Sequence, residues 1–358
     1  MGLLNVVELT APSGFWSMFL FGLEKGVKNY ALALILITII IKLVMVPFDF
    51  LNRYTSKKSS RKQAEMKPEL DKINAKYAND KNLLNQKTME VYKSHNFNVM
   101  GTCVGMLVYL ILTMVVFWSL FGALNTISTY KIGDQYLQVR DAYYAVYDLK
   151  QENLAEDTTL YAEWDKLSAE EKGAKSDEAH EAAKVKYEET KTGFLWIENI
   201  WLPDTAVDPV MTYSNFISKS GISDKEVTEE EYNLIVGPMA DDYRGNNGFY
   251  VLAILAAGLN YLSTVTNGLI TKWRAKKKGM DPKLMKAGSN KIMTIIMPLI
   301  MGVFTLFYNA AFGLYIVAGA LITLITSPLV TLFVDMLEMD AINREKNKYV
   351  AIYDRKRK

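Results

Sequence analysis

Residues 34–50 read LILITIIIKLVMVPFDF. A run of this apolarity suits the inside of a bilayer, yet Lys42 sits in its middle, where a charged lysine costs about 2.5–3.5 kcal/mol on insertion scales. Four further apolar segments lie downstream, Val99–Leu124, Phe249–Ile270, Ile292–Tyr308 and Ala310–Val334. Crossing about 30 Å of hydrocarbon takes roughly 17–25 helical residues, and each segment reaches that range. None alternates with a polar face as a soluble core helix does. The pattern predicts an all-α polytopic membrane protein with five spans, at 30–48, 99–124, 249–270, 292–308 and 310–334.

Charge orients the spans. Residues 51–98 hold 11 Lys and Arg against 5 Asp and Glu, residues 271–291 hold 8 against 1, and residues 335–358 hold 7 against 5. Residues 125–248 reverse the balance, with 12 basic against 25 acidic groups. Basic loops stay in the cytoplasm. The 51–98 segment, the 271–291 loop and the 335–358 tail are therefore expected inside, and the 125–248 insert outside. Five spans then place residues 1–29 outside, where FWSMFLFGLEKGVKNY resembles an interfacial helix. No Lys or Arg precedes Lys25, so the charged start of a secretory signal is missing, and MGLLNV lacks the sixth-position hydroxyl of a myristoylation signal. Cys103 is the sole cysteine, which excludes an internal disulfide.

Met66, Leu70, Ile73 and Tyr77 recur at helical spacing after Pro47, a residue able to end or kink the first span. NDKN at 79–82 signals a turn, and Leu84, Met89, Val91 and Tyr92 supply a return helix. Two antiparallel helices of about 18–20 residues are expected, a basic hairpin rather than a plain linker, since a simple connection rarely needs so many residues. Within the insert, Gln135–Lys191 has helical composition, and Trp196 and Trp201 suggest a return to the membrane interface. The short NAAFG connection at 309–313 makes the last two spans an antiparallel pair.

The five apolar segments contain no Asp, Glu or His, so Lys42 has no charged partner at its own depth. One reading lets it snorkel towards the cytoplasm, seven residues or about 10 Å from Asp49. The other gives it a polar lining, from Thr38, Tyr109, Thr113, Asn260, Ser263, Thr264, Thr323, Thr326 and Ser327, each alone more often a packing residue. The two histidines, His95 and His180, lie outside the spans, and no hydrolase, zinc or nucleotide-binding motif occurs. No metal, cofactor or enzymatic activity is expected. Met293, Met297 and Met301 read as packing residues, with an adaptable surface for apolar segments as the alternative.

The order of these parts resembles the YidC-type membrane insertase family. That family's first shared span carries a basic residue five positions before a proline, as Lys42 and Pro47 stand here. A charged hairpin follows, ending in Met-x-x-Tyr-Lys (Met89, Tyr92, Lys93). Asn98, Val99, Met100, Gly101, Thr102 and Cys103 stand where the family has Asn-Pro-Leu-Gly-Gly-Cys, FLWIENIW at 194–201 is similar to its FLWI segment, and Gly313–Leu314 matches the opening of its last span. The chain departs from the pattern with lysine for the usual arginine, Gly105 and Ile111 for prolines, Tyr109 for glutamine, Val317 and Ala318 for a Tyr-Trp pair, and a longer insert. The resemblance implies a protein of a bacterial-type cell membrane that moves nascent membrane proteins into the bilayer. Its groove would be open to cytoplasm and lipid, closed outside, and built around Lys42, with Pro47, Gly101, Cys103 and Gly313 in structural roles. It implies ribosomes and targeting factors as partners of the hairpin and tail, with a larger translocation channel as a further candidate. Rival readings are a small channel or transporter with Lys42 as an anion site, and a structural assembly factor.

Overall fold

The structure, a computed structural model, describes residues 7–149, 164, 166–277 and 291–356, without the side chains at 64, 99, 100, 102, 103, 275, 291–293 and 339–356. The MGLLNV start, most of the 271–291 loop, part of the Gln135–Lys191 segment, the Cys103 side chain and the side chains of the final RKRK lie outside the described residues.

The described elements are helical: α1 (Phe15–Val27), α2 (Tyr30–Lys76), α3 (Lys81–Ser94), α4 (Val99–Ala145), α5 (Ala169–Ala174), α6 (Ser176–Thr190), α7 (Tyr213–Ser220), α8 (Glu229–Asp242), α9 (Val251–Lys277), α10 (Lys291–Phe307) and α11 (Ala310–Lys356). Four of them, α2, α4, α9 and α11, are long and apolar enough to cross a membrane, and α10 is a shorter apolar helix. The protein is thus an all-α polytopic membrane protein.

Helix boundaries and span boundaries do not coincide. Pro47 and Pro68 both lie inside α2, which runs unbroken for 47 residues from the apolar run into the basic segment. Proline removes one backbone donor; around Pro68 the Lys- and Glu-rich sequence has enough helix propensity to continue. α4 likewise passes Leu124 and ends at Ala145, so its last six turns belong to what the sequence marks as the insert. The return helix of the hairpin is 14 residues, shorter than expected. Asp80 caps it, accepting from the backbone of Asn82 and Leu83 at 3.1 and 3.0 Å. Met66 is buried and Leu70, Ile73 and Tyr77 are half-buried, while Met89 is exposed; the return helix turns Leu84, Val91 and Tyr92 inward instead.

By compactness the chain divides into two units. The first is Met1–Ile37, Trp118–Leu255 and Gly302–Ile316; the second is Thr38–Phe117, Ala256–Met301 and Val317–Lys358.

The first unit has an aromatic and hydrogen-bonded core. Tyr136, Phe216 and Tyr232 pack with ring centroids 4.6–5.5 Å apart, and beside them Arg140 pairs with Glu231 at 2.7 Å. Burial pushes the Glu231 carboxyl up from its ordinary range against the opposing pull of Arg140. Residues 199–204 close the starts of two long helices. Asp204 accepts from the backbone of Phe249 and Leu252 at the head of α9, and from Trp196 Nε1. The carbonyls of Ile200 and Leu202 accept from Ala311 and Ala310 at the head of α11. Helix starts leave orphan backbone donors, and this segment satisfies them. Trp201 is buried against Tyr30 at 4.9 Å, so it is a core residue rather than an exposed interfacial one. Gly313 allows a close approach, since a Cβ there would stand 2.8 Å from Leu252 Cδ1.

In the second unit α2 and α11 share a polar seam. Lys42 lies against Gly319, Arg53 bonds Ser327 and Thr331, and Lys57 pairs with Asp335. Partner numbers rise together along both helices, so α2 and α11 run in the same direction. The entry to α4 in this unit is fixed by Asn98, which accepts from Gly101 N at 2.8 Å. Gly101 has no Cβ to meet the folded-back Asn98 amide, which would lie 2.9 Å from one.

Candidate functional site

Lys42 projects from α2 within a strongly apolar stretch and is only half-buried. A Cβ on Gly319 would stand 3.0 Å from Lys42 Cε, 3.6 Å from its Nζ and 3.7 Å from Thr38 Cγ2. The lysine end therefore rests in the space that the missing side chain leaves on α11, one turn beyond the buried Thr38. Among the described residues its ammonium forms no hydrogen bond or ion pair. The carboxylate that bears on it is that of Asp49.

Seven residues is two helical turns, so Lys42 and Asp49 share one face of α2, and Arg53 follows one turn on. Arg53 Nε donates to both Asp49 oxygens at 2.9 Å, and its two terminal nitrogens reach Thr331 Oγ1 and Ser327 Oγ at 3.0 and 2.5 Å. Tyr109 from α4 approaches Asp49 Oδ1 at 3.5 Å. Asn267 of α9 donates to Ser327 at 2.7 Å. Further along, Arg274 lies 3.5 Å from the buried Asp335 carboxylate, which Lys57 also pairs, and donates to the Leu332 carbonyl at 3.0 Å. Polar groups of four helices thus converge on one stripe that begins at Lys42 and follows α2 towards its basic end.

The other expected lining residues are disposed differently. Thr113 donates to the carbonyls of Tyr109 and Leu110, Asn260 to Ala256, Thr264 to Asn260, Thr323 to Gly319 and Thr326 to Ile322. Each returns its donor to its own helix, the usual way such groups are accommodated in lipid. Thr264 is exposed, Ser263 buried, and Asn260, Thr113, Thr323 and Thr326 lie between. Pro47 sits on the exposed surface of α2 between Lys42 and Asp49. Among the described residues no three His, Cys, Asp or Glu side chains gather as metal ligands.

Residues 22–335 match the family model described as 60Kd inner membrane protein. The chain belongs to this family. Among relatives in the 60Kd inner membrane protein family, the membrane protein insertase YidC of Fusobacterium nucleatum is 39% identical over 103 residues, 29% of this chain and 46% of that protein. Proteins of the same name from Anaeromyxobacter dehalogenans and Methylobacillus flagellatus are 31% and 32% identical over 132 and 133 residues, each match covering 23% of the relative and 35% and 37% of this chain. The chain spans less than half the length of these curated relatives. No solved structure gives a significant match.

Asp49, Arg53, Asn267, Thr331 and Asp335 escaped the sequence reading. The sequence reading used Asp49 only as the end towards which Lys42 would snorkel and did not connect it to Arg53. The usable signal was Arg53 one turn beyond Asp49, which continues the 42, 49 spacing on one helical face.

Proposed function

We propose that this chain is a membrane protein insertase that spans the membrane five times. The carrying observation is the half-buried Lys42 at the head of a polar stripe in otherwise apolar helices. A nascent protein's short hydrophilic segment enters from the cytoplasm along this stripe and meets Lys42, which attracts it most when it is acidic. Its apolar segment moves along α4 and α11 into lipid. Desolvation dominates the cost of carrying a polar segment through hydrocarbon, and a wet recess shortens the dry path. No bond is made or broken.

Five crossings are supported by the shared direction of α2 and α11. Parallel helices need an odd number of crossings between them; α4 and α9 supply two, and α10 supplies the third. Its 17 residues make about 25 Å, at the short end of what a bilayer accepts. The charge balance supports a start of the chain outside and a hairpin and tail inside. There they recruit nascent chains, ribosomes and targeting factors, in a salt-sensitive way where ribosomal RNA is the partner. Parts of the groove lining, namely Thr38, Tyr109, Thr113, Asn260, Ser263, Thr264, Thr323 and Thr326, present mild polarity without charge.

Depleting a host of its own insertase and supplying this chain tests the proposal. Insertion of a single-span reporter should be restored, and should drop with Lys42→Ala or with removal of the hairpin. If both changes left insertion intact while ion flux fell, a channel would be the better reading.

A further inference from the structure

The sequence suggests a lysine alone in an apolar span; the structure places a carboxylate on the same face, two turns away, and ties it to an arginine. Asp49 is the natural competitor for Lys42. Unpaired, it would draw the lysine ammonium towards itself and repel any acidic segment arriving from the cytoplasmic side. Its own partners oppose both effects. Arg53 donates to both of its oxygens at 2.9 Å, with Tyr109 approaching at 3.5 Å. Arg53 is itself held from the far side by Ser327 and Thr331 of α11, and Ser327 is oriented by Asn267 of α9. An exposed i,i+4 ion pair is ordinarily loose; this one is anchored by groups from two other helices.

We propose that the Asp49–Arg53 pair sets the charge preference of the insertase, Arg53 neutralising Asp49 so that the Lys42 charge remains available to acidic segments. This rests on the insertase reading of Lys42 given above. Asp49 and Arg53 are specificity-determining residues here, acting through the field at Lys42. From Lys42 to Lys57 the α2 side of the stripe carries Lys42, Arg53 and Lys57 against Asp49, and an unneutralised Asp49 would offset the Lys42 charge. A unit charge about 10 Å from another changes an equilibrium between roughly twofold in water and roughly fifteenfold at a protein surface.

The test uses two reporters that differ only in whether the external segment carries Asp or Asn, with insertion scored as the Asp-to-Asn ratio in the full-length protein. Arg53→Gln should lower the ratio within that range, Asp49→Asn should raise it, and the double variant should return it towards the starting value. Asp49→Asn is nearly isosteric, so it keeps the test open if Arg53→Gln accumulates poorly. Lys42→Gln is the control that separates the two ideas. If it collapses the ratio while Asp49→Asn and Arg53→Gln leave the ratio unmoved, the pair is structural and the inference is overturned with the groove intact. If Lys42→Gln leaves the ratio unmoved, the role of Lys42 falls and this inference with it.

Discussion

Arg140 and Glu231 meet at 2.7 Å with side chains 1% and 8% exposed, whereas Arg53 and Asp49 meet at 2.9 Å with side chains 29% and 23% exposed. The first pair is sealed in the aromatic core of the first unit, among Tyr136, Tyr232 and Phe216. The second lies on a stripe that leads to a lysine without a partner of its own. Removing one member of a sealed pair strands a charge in a poor solvent; removing one member of an open pair lets water take its place. The difference separates residues that hold the fold from residues free to handle charge on something else. By this criterion the Arg140–Glu231 pair is scaffold, and the Arg53–Asp49 pair is placed to serve the proposed recognition.

The largest expected effect comes from breaking the sealed pair. Glu231→Gln should destabilise the first unit by about 3–5 kcal/mol, because the buried Arg140 loses the carboxylate it pairs with; protease resistance of the insert in a urea series reads this. A loss below about 1 kcal/mol would mean that water reaches the pair. Next, Asp204→Ala removes three hydrogen bonds, two at the head of α9 and one from Trp196, and should cost about 1–3 kcal/mol by the same measurement.

In the second unit, Gly319→Leu fills the space that the Lys42 side chain occupies. It should displace the ammonium at a packing cost of about 1–3 kcal/mol, with reporter insertion falling more than accumulation of the protein. Equal loss of both would point to packing alone. The smallest stability effect is expected for Asp49→Asn, below about 1 kcal/mol, since the pair is open to solvent. A cost as large as that of Glu231→Gln would erase the distinction between the two units.

Much of the fold was legible because hydropathy and charge act over long windows. Apolar runs marked the long helices. Boundaries were not legible, since leaving the membrane does not end a helix. α2 crosses Pro47 and continues to Lys76, and α4 passes Leu124 to Ala145, because side-chain polarity changes there while backbone hydrogen bonding does not. At the site, Lys42 and Thr38 could be named from composition. Gly319 could not, since a glycine among Ala and Val gives no sign of what fills its missing side chain. Asp49 and Arg53 were visible as residues and hidden as partners, because the hold of Ser327 and Thr331 on Arg53 comes from a helix more than 270 residues away. Trp201 misled for a related reason: tryptophan marks interfaces on average, and here it fills a core against Tyr30.

The central claim is that a nascent chain's hydrophilic segment passes Lys42. A photocrosslinking residue at position 42, probed with ribosome-stalled single-span substrates of increasing length, tests it most directly. Crosslinks should form over a narrow window of lengths, when the external segment reaches the stripe, and disappear once it has crossed. Crosslinks to lipid alone at every length would contradict the claim and leave Lys42 as a residue that merely snorkels.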